Sequence, residues 1–288
     1  MGSVVTVMNM KGGVGKTTVS MHLAGALSRY VWKGQKYRKI LLVDYDAQFN
    51  LSQAYLSATQ YFSLEKSGKT ILAVLQDDDA DLDPYKLQVP GNISPPAVGS
   101  LAHTIYKNKT SQLDIIPSTL NLMYVALGRA DVQVKPIEER FEKFITECRK
   151  QYDLVLIDCH PAGSLLTKTS LSNSDHVIIP VAPERYAVRG IGLMMNFISA
   201  KKQGSSGPAP HIIFNKMPRT GFSKEEVSIR ANPKYAGFCL KNTLKRYSAF
   251  SDPEEGKGFV WDSGKPYSYE ATRNLQSVAA EFASIVGI

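Results

Sequence analysis

The chain has 288 residues, 43% of them apolar, and a net charge of +8 at neutral pH. That length and apolar content suit one substantial core and favour one large α/β domain over two. No run approaches the ~18 apolar residues of a membrane span, the first residues read into a strand with no signal peptide expected, and three widely spaced cysteines (Cys148, Cys159, Cys239) fit a reducing cytoplasm rather than a disulfide framework.

An apolar run at residues 4–8 is followed by Lys11-Gly12-Gly13-Val14-Gly15-Lys16-Thr17-Thr18 and then by a helical pattern through Val19, Leu23, Ala24, Ala26 and Leu27. Strand, glycine turn and helix in that order are the context of a phosphate-binding loop. Glycines let the backbone approach a polyphosphate and turn successive N–H groups toward it, and the helix N-terminus adds a favourable dipole. Lys16 is placed to reach the terminal phosphates and the Thr17 hydroxyl to bind Mg²⁺. One lysine suffices for such a cradle, so Lys11 is either a solvated surface charge or has a second use.

The octapeptide resembles the deviant Walker A motif, and here the chain is similar to the ParA/MinD (SIMIBI) family of P-loop ATPases. The resemblance implies an α/β fold, a doubly wound and mostly parallel sheet flanked by helices, with ATP and Mg²⁺ bound by residues 11–18. It also implies a homodimer on ATP binding, in which Lys11 crosses the interface and touches the neighbour's phosphates. Lys11 and Lys16 then belong to the catalytic set.

Next along the chain, Arg29, Lys33, Lys36, Arg38 and Lys39 alternate with Tyr30, Trp32 and Tyr37, read as a helix end and an exposed turn around Gly34. Residues 40–44 (Ile-Leu-Leu-Val-Asp) form a buried parallel-strand pattern. Asp44 and Asp46, two apart, share a face while the strand continues and lie at its carboxyl end, where doubly wound sheets bind ligands. This segment is similar to the family's Walker A′ motif, with Ala47 in place of the usual proline. By resemblance, Asp46 orients the attacking water and Asp44 supports the Mg²⁺ shell.

Residues 59–112 are read as an insertion or variable region within a single domain spanning 1–288. Asp77, Asp78, Asp79, Asp81 and Asp83 do not match a Ca²⁺ loop and are read as a solvated turn. Residues 113–118 return to a strand and its exit, a helical pattern runs through Phe141, Phe144, Ile145 and Cys148, and residues 152–158 end in Asp158. Asp158 matches the Walker B position and by resemblance holds Mg²⁺ opposite Thr17. His160, in the divergent segment that follows, is read as incidental. A strand at 176–181 opens into a segment similar to the family's P-x-x-x-Y-A-x-x-G, and residues 211–214 form a final core strand ending at Asn215. Relatives place an asparagine at that position near the adenine, and an amide can present a donor and an acceptor to one base edge. The absence of a Lys-x-Asp base-reading motif after Asn215 favours ATP over GTP.

Residues 201–250 hold ten Lys/Arg against two acids, an excess equal to that of the whole chain. Such a surface suits a polyanion, most simply a nucleic-acid backbone. Arg219 matches an arginine used for DNA contact in some relatives, and Lys245 and Arg246 weakly match their P-R-N segment. The reading is therefore a Mg²⁺-dependent ATP hydrolase of ParA type for DNA partition or cargo positioning. It would be cytoplasmic and nucleoid-associated, binding DNA without sequence preference and stimulated by a ParB-like or other cargo adaptor. The loop begins too early for an N-terminal helix-turn-helix. A MinD-like membrane ATPase needs a basic amphipathic C-terminal helix, yet no Lys or Arg follows Arg273. An iron-protein electron carrier needs interface cysteines at a spacing not found here, and a tyrosine-kinase relative needs more than Tyr267 and Tyr269. A ParA-like ATPase serving a phage or defence cargo is the remaining alternative.

Overall fold

The computed structural model describes all residues except 31–36, 78–89, 92–93, 127–130, 161–162, 185–186, 201–206 and 256–257. Among the described residues one seven-stranded sheet runs through the molecule, built from β1 (Ser3–Val7), β2 (Arg38–Tyr45), β3 (His103–Lys107), β4 (Ser111–Ile116), β5 (Leu154–Cys159), β6 (His176–Val181) and β7 (Ala209–Phe214). The spatial order is β3-β4-β2-β5-β1-β6-β7, parallel throughout except for the antiparallel β3–β4 pair at one edge. This is the doubly wound sheet expected from the apolar strand runs, which are buried on both faces as parallel strands must be.

Alternation along each strand divides the core in two. Leu41, Val43, Tyr45, Val155 and Ile157 face one layer, where the Asp131–Gln151 helix supplies Phe141, Phe144, Ile145 and Cys148. Val5, Val7, Ile40, Leu42, Leu154 and Leu156 face the other, covered by the Lys16–Arg29 helix and by Leu275, Val278, Ala279 and Phe282 of the Ser268–Val286 helix. The packing of these two helices extends to the segment before the C-terminal helix. A Cβ on Gly25 would lie 2.1 Å from the Trp261 ring, so the indole seats directly on the helix backbone.

Described residues of the region 59–112 are built into the same sheet and core. The Ala58–Lys66 helix is started by a capping box at Ser57 and Gln60, β3 extends the sheet, and Arg29 stacks between the rings of Tyr106 (4.1 Å) and Trp261 (4.3 Å). Asp78, Asp79, Asp81 and Asp83 lie outside the described residues, as do Trp32, Lys33 and Lys36. Asp77 is not solvated as expected. It is buried against Arg140, whose Nη1 donates to Asp77 Oδ1 (2.7 Å) while its Nε donates to the Val74 carbonyl (2.9 Å).

His22, on the Lys16–Arg29 helix, is fully buried among Phe250, Phe259 and Trp261; one ring nitrogen meets the Thr18 carbonyl and Nε2 has no hydrogen-bond partner among the described residues. Burial lowers its pKa from 6.5 to about 4. The folded state thus binds this proton less tightly than the unfolded state, and the stability it contributes is present above pH 6.5 and lost as pH falls toward 4. In denaturant titrations, the difference between wild type and His22→Gln should move by about 2 kcal/mol against wild type between pH 7 and pH 5. A difference independent of pH would show that His22 titrates normally.

Candidate active site

The ends of β1, β2 and β5 coincide: Val7 is paired with Asp158, and Asp158 with Asp44. Chain leaving β1 therefore turns directly above two acids. Asn9 anchors that turn. Its Nδ2 donates to the Pro180 carbonyl on β6 (2.7 Å), and its Oδ1 accepts from the Lys11 N–H (3.0 Å). Gly13 and Gly15 take φ of 76° and 87°, and a Cβ on Gly15 would lie 2.2 Å from Asn215 Nδ2. Only glycine fits there. At Gly12 and Gly13 a Cβ would meet nothing within 4 Å, so the loop opens on free space. Among the described residues, the N–H groups of Gly12, Gly13, Val14 and Gly15 donate to no protein acceptor, and the first turn of the Lys16–Arg29 helix follows at once. A ring of unused donors with Lys16 and Thr17 beside it fits a polyphosphate.

Asp44 is fully buried, and Ser52 donates to its Oδ2 from both N–H (2.8 Å) and Oγ (2.6 Å). Burial, and then the charge of Asp158, pushes its pKa well above the ordinary carboxylate value. Asp158 is also buried. Desolvation raises it to about 6, opposed by hydrogen bonds from the Thr17 and Ser20 hydroxyls and by the charge of Lys16; the Ser20 contact is 3.0 Å. Two buried carboxylates side by side with a threonine hydroxyl form a hard oxygen donor set, and a divalent cation such as Mg²⁺ suits it. Thr17 and Asp158 would hold the metal, with Asp44 behind them.

Asp46 departs from the expected strand geometry. β2 stops at Tyr45, so Asp46 opens a turn: its Oδ1 accepts from the Gln48 N–H (3.0 Å) and its carbonyl from the Phe49 N–H (2.9 Å). Phe49 completes the turn in a left-handed conformation (φ 45°), stacked on Tyr61. The carboxylate remains beside the other two acids, since its charge contributes to the raised values of both.

On the β7 side, Asn215 is buried; its Nδ2 donates to the Val14 carbonyl (2.9 Å) and its Oδ1 accepts from the Lys216 N–H (2.9 Å). The amide therefore braces the loop, with one N–H and one lone pair left for a ligand. A cleft of about 810 Å³ extends from Thr18 and Asn215 past Arg219, Lys245, Arg246 and Tyr247. The three residues expected to contact DNA are thus brought together on the wall of this cleft rather than on a separate face. Lys245 Nζ donates to the Arg219 carbonyl (2.8 Å), the Arg246 N–H to the Met217 carbonyl (2.7 Å), and the Arg219 guanidinium stacks on Tyr267 (4.5 Å).

The basic segment is only partly surface. Arg230 turns inward to Glu226 and the Leu240 carbonyl, and Lys201 and Lys202 lie outside the described residues. Lys11 forms an ion pair with Glu184, both half-exposed; such pairs contribute little to stability. Sequence reasoning missed Asn9, Ser20, Ser52, Glu184 and Lys216. Only Ser20 carried a usable signal, one helical turn from Lys16 and Thr17.

The family model described as AAA domain matches residues 2–206. The sporulation initiation inhibitor protein Soj of Bacillus subtilis is 32% identical over 203 residues, covering 69% of this chain and 65% of Soj, so the chain spans just under two thirds of that relative's length. A ParA family protein of Chlamydia muridarum is 28% identical over 206 residues, covering 72% of this chain and 67% of the relative. Among solved structures, a putative plasmid partition protein from Borrelia burgdorferi, bound to AMPPNP, superposes with a TM-score of 0.68 at 22% identity, covering 98% of this chain and 100% of that one. The matched span of 2–206 takes in the glycine loop, Asp44 and Asp158 on one continuous sheet, and on these grounds the chain belongs to the ParA/MinD-type P-loop ATPases.

Proposed function

We propose that the protein hydrolyses ATP with Mg²⁺ as a dimer that closes around the nucleotide, holds DNA without sequence preference while ATP is bound, and lets go when a cargo-bound adaptor stimulates hydrolysis. The observation that carries the enzymatic part is the register of Asp44 with Asp158 at strand ends directly beneath a donor-rich glycine loop. The AMPPNP in the Borrelia neighbour supports an adenine nucleotide.

In this reading the N–H groups of residues 12–16 and the Lys16 ammonium bind the phosphates. Bound Mg²⁺ supplies charge neutralisation on the transferring phosphoryl group. Asp158 and Thr17 hold that ion, Asp44 supports them from behind, and Asp46 orients water, its carboxylate fixed by the Gln48 N–H. Lys11 exchanges Glu184 for the partner's nucleotide. Arg219, Lys245 and Arg246 contact DNA phosphates from the cleft wall, next to the nucleotide. Residues 1–288 act as one domain, with 59–112 the variable part. Cargo, whether plasmid, chromosome or protein assembly, is left to the adaptor.

Membrane attachment through the C-terminal helix is disfavoured because its apolar face is in use: Leu275, Val278, Ala279 and Phe282 are buried in the core. An interface metal cluster is disfavoured because Cys148 and Cys159 are buried. The deciding measurement is fluorescence anisotropy of a random-sequence duplex with MgATP, MgADP and no nucleotide, at 50 and 300 mM salt. We expect affinity only with ATP, lost at the higher salt, and retained after prolonged incubation by Asp46→Ala because ATP is no longer consumed. No ATP-dependent affinity at either salt would sink the reading.

A further inference from the structure

We propose that Lys216 is a positioning residue that sets the phosphate loop for its ligand, acting through the Gly13 carbonyl. This rests on the reading of residues 11–18 as a phosphate site. Lys216 Nζ donates to the Gly13 carbonyl (2.8 Å), while the adjacent Asn215 Nδ2 donates to the Val14 carbonyl (2.9 Å). Two successive residues at the end of β7 thus hold two successive carbonyls of the loop.

Planar trans peptides make that consequential. In each peptide unit the C=O and the following N–H point in opposite directions. Holding the Gly13 carbonyl toward Lys216 aims the Val14 N–H the other way, and holding the Val14 carbonyl toward Asn215 does the same for the Gly15 N–H. These are donors that find no protein acceptor among the described residues. Oriented N–H groups, fixed before the ligand arrives, are what an anion-binding nest requires.

The backbone at Lys216 is itself unusual. Its φ is 58°, left-handed and one of three such values at non-glycine residues among those described. L-residues occupy that region at a cost, and here the Lys216 N–H is held by Asn215 Oδ1 (2.9 Å). The side chain is solvent-exposed, so its ammonium adds little to fold stability. Its consequence falls on the loop.

The test compares Lys216→Met, which keeps the alkyl stem and removes the donor, with Lys216→Arg, which restores a donor. Calorimetric titration with Mg²⁺-ADP and with Mg²⁺-pyrophosphate is read beside the Tm of the nucleotide-free protein. Lys216→Met should bind both ligands about tenfold more weakly, with Tm within about 2 °C of wild type, and Lys216→Arg should recover most of the loss. Equal affinity of Lys216→Met and wild type for both ligands would overturn the assignment. So would a loss confined to ADP, which would place Lys216 at the base, or a fall in Tm matching the loss, which would make it structural. Wild type binding neither ligand would instead overturn the phosphate site itself.

Discussion

Lys16→Ala should bind ATP more weakly by two to three orders of magnitude, about 3–4 kcal/mol, and lose measurable hydrolysis. The lysine opens the helix that follows the glycine turn, and its charge reaches the acids, since it opposes the upward shift of Asp158. Removing it takes a cation from the phosphates and leaves Asp44 and Asp158 closer to net repulsion. Equilibrium titration with a fluorescent ATP analogue checks the first part and phosphate release the second. A Lys16→Ala protein binding within fivefold of wild type would mean that the loop N–H groups alone hold the nucleotide.

Asp158→Asn should move stability and activity in opposite directions. The folded state raises this carboxyl from 3.8 to about 6, so it holds the proton more tightly than the unfolded chain does. Stability from that group is therefore complete below pH 3.8, declines as pH rises through the interval to about 6, and is absent above it. At pH 7.5 the buried anion costs up to about 3 kcal/mol, and the neutral amide avoids this cost. Nucleotide-free Asp158→Asn should melt several degrees above wild type at pH 7.5, with the advantage vanishing near pH 4. Hydrolysis should nonetheless fall at least 100-fold, because the proposed metal loses its charged partner. Thermal melts across that pH range, paired with ATPase assays, check both. A melting temperature below wild type at pH 7.5 would show Asp158 to be a stabilising charge.

Most of the site could be read from the chain because its residues stand at the ends of apolar runs. Asp44 and Asp158 each close a strand pattern, and parallel pairing then places them together. Contacts lacking a short-range pattern could not be read this way. Lys216 meets Gly13 across 203 positions, and the hydroxyl of Ser52 reaches Asp44 only because a left-handed Phe49 turns the chain back. Resemblance singles out Arg219, Lys245 and Arg246 one by one, but it does not reveal that the chain just beyond β7 runs beside residues 244–246, Met217 pairing with Lys245, to put all three on the wall of one cleft. Asp77 failed for a similar reason: an acidic run reads as solvated, and its buried partner Arg140 lies 63 residues away.

The seating of Trp261 on Gly25 gives the protein an optical gauge of its own. The indole lies at contact distance from the helix that begins with Lys16, its Nε1 is buried with no hydrogen-bond partner among the described residues, and it stacks on Phe259 at 4.8 Å. Ring and backbone are in contact, so a slide of that helix on binding nucleotide is expected to shift the emission of Trp261, read in a Trp32→Phe protein so that the second indole does not contribute.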